Sequence, residues 1–161
     1  MAGDRRRGPK TASAPLPISP NRPKALASLV GDDGRHAQPV FSFALIDRHY
    51  EGQWGWHRMS DADADARRLH EFLWDMGVLT WEEIRRQTSG GHKKHHPHPI
   101  ERFCKEAQDR ITQRGHDDIA TSMFRFRLDG TTRLWGYDLG DGLFYVVWWD
   151  PDHKVYATEP D

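Results

Sequence analysis

Sulfur chemistry is nearly absent from this sequence: Cys104 is the one cysteine in 161 residues. A single thiol excludes a disulfide framework and any zinc site built on several cysteines. It fits a reducing cytoplasm, the expected location. No apolar run approaches the roughly 18 residues that a membrane helix needs, so no membrane partner is expected. No early apolar stretch of about 7–15 residues could serve as a secretory leader. An excess of one charge is missing too, since 23 Lys+Arg stand against 24 Asp+Glu, net −1 with His neutral. That balance removes both the bulk basic field of a nonspecific nucleic-acid binder and the acidic block of a solvating tail. Serine-nucleophile signatures are lacking, and Gly140-Asp-Gly142 has neither the following helix nor the lysine of a phosphate cradle.

Charge is balanced overall but not along the chain. Residues 1–38 carry seven Lys/Arg and three Asp, net +4, which leaves −5 for residues 39–161. The same stretch holds five of the ten prolines and no aromatic residue. It cannot bury enough apolar area to offset ordering entropy, so it reads as a disordered, basic, Pro-rich tail ahead of a single domain over 39–161.

Within that domain, Phe41-Ser-Phe-Ala-Leu-Ile-Asp47 alternates as a half-buried strand. Trp54, Trp56 and His57 follow in a loop. Ser60 is positioned as an N-cap, with Asp61, Asp63 and Asp65 in a first turn where acids suit the helix dipole. Ala66, Leu69, Phe72, Leu73 and Met76 then recur at helical spacing up to Gly77. The same aspartates mimic the opening of a calcium loop, but Ala66 and Phe72 occupy the places of its glycine and its last glutamate. Thr80-Trp-Glu-Glu83 is a capping box for a short second helix to about Gln87, and Ser89-Gly90-Gly91 ends it. The His92–Pro99 segment reads as a loop. Ile100 opens a third helix with Phe103, Cys104, Ala107 and Ile111 on one stripe, stopped at Gly115.

From residue 123 the period changes from 3.6 to 2. Met123-Phe-Arg-Phe-Arg-Leu128, Thr132–Tyr137 and Leu143–Trp149 form three strands joined at Asp129-Gly130 and at Leu139-Gly-Asp-Gly142. Leu143–Trp149 is apolar on both faces, as a central strand must be. The expected architecture is α+β: an N-terminal strand, two to three helices on one sheet face, then a three-stranded antiparallel meander. If Phe124, Phe126 and Leu134 face the helices, the other face carries Arg125, Arg127, Arg133, Trp135 and Tyr137. Arginine interleaved with aromatics suits RNA, because the cations hold phosphates and the rings stack on bases. A solvated face with ordinary cross-strand pairs would use the same residues.

Arg133-Leu-Trp-Gly-Tyr137, Gly142-Leu-Phe-Tyr-Val-Val-Trp-Trp149 and His153-Lys-Val-Tyr156 resemble the C-terminal strands of the RelE/ParE superfamily of bacterial toxins, in particular its YoeB-like members, over roughly residues 123–156. The resemblance implies a small α+β endoribonuclease, of the mRNA interferase type, that needs no metal or cofactor. It would transfer an RNA phosphate to its own 2′-OH, typically on ribosome-bound mRNA, and be held by an antitoxin protein. It implies that Arg133 steadies the phosphate, that His153 is the terminal histidine of the base/acid pair with Tyr156 as the nearby tyrosine, and that Arg125 and Arg127 bind flanking phosphate. Lys154 would join them at the RNA surface. In the family the His and Tyr often adjoin; here Lys154 and Val155 separate them. For the carboxylate base of YoeB-like members the candidate is Asp129.

Two other readings stay open. The same sheet could serve a non-catalytic RNA- or protein-binding module. Alternatively, His92, His95, His96 and His98 could make a His-loop metal protein, which requires His92, His95 and His96 to converge on one ion. Among the seven tryptophans, Trp74, Trp81 and one of Trp148/Trp149 are expected in the core. Cys104 is expected to be an inert core thiol and His70 a boundary residue.

Overall fold

The computed structural model describes residues 35–59 and 62–156. The expected tail lies outside the described residues up to position 34, as does the N-cap expected at Ser60. Residues 35–38 are part of the fold: Ala37 is buried, and the carbonyls of Arg35 and Ala37 accept from the backbone N–H groups of Glu82 and Trp81.

The fold is α+β. Three helices, α1 (Ala62–Gly77), α2 (Trp81–Arg86) and α3 (Lys105–Gln113), accompany a five-stranded sheet. Its strands are β1 (Val40–Ser42), β4 (His96–Pro99), β5 (Ser122–Arg127), β6 (Arg133–Asp138) and β7 (Leu143–Asp150), in spatial order β1-β7-β6-β5-β4. β1 runs parallel to β7 and every other neighbour is antiparallel. A separate two-residue ladder pairs β2 (Thr88–Ser89) with β3 (His92–Lys93) through Gly90 and Gly91, both at positive φ. The meander of the sequence reading is β5-β6-β7, and β7 is interior, as its two apolar faces require. The capping box of α2 is also formed: Glu83 N–H donates to Thr80 Oγ1 and Thr80 N–H to the Glu83 carboxylate.

The structure corrects several expectations. The helices do not share one face of the sheet. Phe72, Met76, Trp81 and Ile84 from α1 and α2 pack on Phe124, Phe126, Leu134, Phe144 and Trp149. Phe103, Ala107 and Ile111, from α3 and its approach, pack on Met123, Trp135, Tyr137 and Trp148 on the other side. Both faces of an 8-residue strand such as β7 are apolar because both are covered. The histidine segment is not a loop: its second half is β4. Pro97 and Pro99, which cannot donate to a ladder, fit there because β4 is an edge strand. The third helix starts at Lys105; Ile100–Arg102 is a single 3₁₀ turn. The first strand is only Val40–Ser42, and Phe43 beyond it is exposed. Trp74 lies on the outer face of α1, 69% exposed, whereas the loop residue Trp54 is fully buried against Trp148. Both Trp148 and Trp149 are buried, one on each face. At 150–250 Å² apiece, such rings supply on the order of 4–6 kcal/mol each. Cys104 is half-buried at the start of α3, and burial raises its thiol pKa, consistent with an inert group.

Gly136 makes the central ladder possible. A β-bulge falls between Trp135 and Gly136, so Trp135 pairs with Trp148 and Gly136 with Val146. A Cβ on Gly136 would lie 2.3 Å from the Tyr145 carbonyl oxygen. The extra residue, Val147, turns inward beside Trp148 toward α3.

Candidate functional site

Two rows of side chains cross the face of the sheet that carries α3. One runs His96–Arg125–Trp135–Trp148 and the next runs Arg127–Arg133–Asp150. α3 and Phe103 cover the face over Trp135 and Tyr137. The end built by β4, the Arg127 end of β5, the Arg133 end of β6 and the turn after β7 carries the charged side chains.

At that end the chemistry concentrates on Arg125, itself only 9% exposed. One terminal nitrogen of its guanidinium donates to His96 Nε2 at 3.0 Å, and the other lies 3.5 Å from His153 Nε2. His96 Nδ1 lies 3.2 Å from the Pro97 carbonyl, to which it can only donate. His96 is therefore a neutral imidazole whose Nε2 lone pair faces the cation. Its ring lies 4.1 Å from that of His98, which in turn lies 4.5 Å from that of Tyr156. Arg127 and Arg133 complete the cluster. Arg133 donates to the carbonyls of Asp129, Gly130 and Thr132, and Arg127 to the Asp129 carbonyl and the Ser89 hydroxyl. None of these three arginines forms an ion pair with a carboxylate among the described residues. Three buried nitrogens here lack any protein partner: Arg125 Nε, Arg133 Nε and His98 Nε2.

The electrostatics follow from that composition. Burial, reinforced by Arg133, Arg125, Arg127 and Lys154, pushes the His153 pKa down to about 4. Burial and Arg125 push His98 to about 3 and also lower His96. Burial and the neighbouring arginines lower Arg125 itself to about 10. Taking an unpaired guanidinium out of water costs several kcal/mol. Three together repel one another and force the imidazoles between them to stay neutral. An oxyanion would relieve all of this at once, accepting from the arginines and offsetting their charge.

A scan of protein-family models, a search of curated proteins and a search of solved structures each returned no match.

The structure thus brings Arg125, Arg127, Arg133, His153 and Tyr156 together, with Lys154 exposed beside them. It does not bring Trp135 and Tyr137 to the surface. Both are fully buried beneath α3, the Trp135 indole donating to Asp150 and the Tyr137 hydroxyl meeting His116, so neither ring can stack on RNA. Asp129 is no free base, because its carboxylate accepts from the N–H groups of Thr131 and Thr132 and from Arg68. The histidine cluster separates by strand alternation. His92 is exposed on β3 and His96 and His98 join the arginines. His95 is buried on the opposite face against Phe126, accepting from Arg127 N–H and facing the Gln87 side chain. Among the described residues no three His, Cys, Asp or Glu side chains group as a metal site. His96 and His98 join the site although their segment reads as a loop in sequence. Their signal was the period-two repeat His96-Pro-His-Pro99.

Proposed function

We propose that this protein is a RelE-like, metal-independent endoribonuclease whose site is the Arg125–His96–His153 cluster. The observation that carries the reading is the guanidinium of Arg125 flanked by two neutral imidazoles, in a cluster of three arginines that form no ion pair with a carboxylate among the described residues. Transfer of a phosphate to its own 2′-OH needs a base at the 2′ oxygen, cations on the non-bridging oxygens and an acid at the leaving 5′ oxygen. His153 Nε2 takes the 2′ proton as the 2′ oxygen bonds to phosphorus. Arg125, Arg127 and Arg133 hold the charge that develops. His96 takes a proton from solvent as the bound phosphate anion offsets the cations around it and delivers it to the 5′ oxygen as that bond breaks; His153 afterwards returns the 2′ proton to solvent. Tyr156 and His98 support the pocket wall, and Lys154 meets flanking phosphate.

The test is expression of the wild type and of the double variant His153→Ala/Arg133→Ala under a tight promoter, with 5′ ends mapped on cellular RNA. Growth arrest with new RNA ends that vanish in the variant is the expected result. One observation favours a second reading, a non-catalytic RNA-binding module: the terminal nitrogens of Arg133 are committed to turn carbonyls. That reading gives RNA binding without new ends.

A further inference from the structure

We propose that Asp150 is a positioning residue that presents His153 to the arginine cluster by folding the chain after β7 around its own carboxylate. The proposal rests on the reading of the pocket given above for its consequence, but its geometry is independent of it.

Asp150 is the last residue of β7 and has no exposed surface. A buried carboxylate must be satisfied by donors, and three converge on it. Lys154 N–H donates to one carboxylate oxygen at 2.8 Å. Val155 N–H and the Trp135 indole donate to the other at 3.2 and 3.1 Å. Two of these donors are backbone groups four and five residues further along the chain, so the carboxylate closes a loop over Pro151, Asp152 and His153. Val155 is fixed from the other side as well: its side chain is buried, and its carbonyl accepts from Cys104 N–H at the start of α3.

His153 is caught between these anchors. Among the described residues it is the one non-glycine residue at positive φ, +55°. That conformation is costly for an L-residue and persists only where the surroundings impose it. Here it carries the imidazole back over the sheet, to 3.5 Å from Arg125. The same carboxylate stands opposite Arg133 in the ladder, where its negative charge favours that guanidinium's charged form. Asparagine would put an NH₂ group against donors, and glutamate would move the acceptor one methylene away.

The experiment uses the full chain labelled for NMR and follows the His153 ring titration in the wild type and in Asp150→Asn. The wild-type ring is expected to titrate near pH 4. In folded Asp150→Asn the ring leaves the arginines and its titration rises by at least about one pH unit. An unchanged or lower titration would overturn the proposal, because it would show the ring still held among the arginines without the Asp150 carboxylate. Where Asp150→Asn does not fold, amide exchange in the wild type decides. Protection of the Lys154 and Val155 amides by about tenfold or more supports the role, and exchange at unprotected rates overturns it. Wild-type protein that cuts no RNA yet shows the expected titration change would sink the ribonuclease reading and leave this one standing.

Discussion

Arg127 and Arg133 stand directly opposite one another across the β5–β6 ladder, two like charges in a position where opposite charges or apolar pairs are the stable choice. Two residues back along β5 on the same face, Arg125 is buried without an ion-paired carboxylate. Such an arrangement is unfavourable unless an anion offsets its charge.

The first prediction is therefore a gain of stability on loss of the site. Arg125→Met removes an unpaired buried charge and keeps the side-chain volume. It is expected to raise stability by about 1 kcal/mol, or roughly 3–5 °C in Tm, while lowering RNA cleavage at least about 100-fold. Calorimetry on the two proteins checks the first half. A destabilised variant would mean that Arg125 is structural.

Acid should unfold the protein early. Burial and nearby cations hold His95 and His98 near 3 and His116 and His153 near 4, against the usual 6.5. The unfolded chain therefore binds more protons than the native one between those values. Stability is complete above about pH 6.5, falls as the pH drops from there toward the native values, and loses nothing more to these imidazoles below them. The urea midpoint should decline steadily from pH 7 to pH 4.5, and sulfate should restore part of it by occupying the arginine pocket. A flat midpoint would show the imidazoles to be solvated.

Gly136 is expected to tolerate nothing larger. Gly136→Ala drives a methyl group into the Tyr145 carbonyl and the Phe144 ring, at a cost of roughly 2–3 kcal/mol. A chemical denaturation curve superimposable on that of the wild type would show the bulge to be misplaced.

Position 153 separates stability from function. At φ +55° glycine is unstrained and alanine is not, so His153→Gly should be more stable than His153→Ala by about 1 kcal/mol, and both should be inactive. Equal stabilities would mean that the turn relaxes on substitution.

Much of this architecture is legible in the sequence. The change of period at residue 123 marks the meander, the Thr80–Glu83 capping box marks α2, and the apolar faces of Leu143–Trp149 mark the central strand. What escapes is whatever depends on covering. Trp135 and Tyr137 alternate with the arginines, so period alone puts them on an open face; only the packing of α3 over half of that face buries them. Prolines disguise β4, since Pro97 and Pro99 argue against a strand everywhere except at an edge. Trp74 satisfies the helical stripe of α1 only loosely, and a ring that large draws attention to the core even where it lies outside. Arg133 and His153 are twenty residues apart, and no spacing rule joins them; the ladder and the Asp150-bound turn do.

Attack by the RNA's own 2′-OH is decided by incubating purified protein with RNA, with and without ribosomes, using a substrate and its 2′-O-methyl counterpart. Cleavage of the unmodified RNA to a 2′,3′-cyclic phosphate and a 5′-hydroxyl is expected, with no cleavage of the methylated RNA and loss of activity in Arg125→Met and His153→Ala. Folded wild-type protein that cuts neither, or cleavage that survives the 2′-O-methyl group or both substitutions, would contradict it.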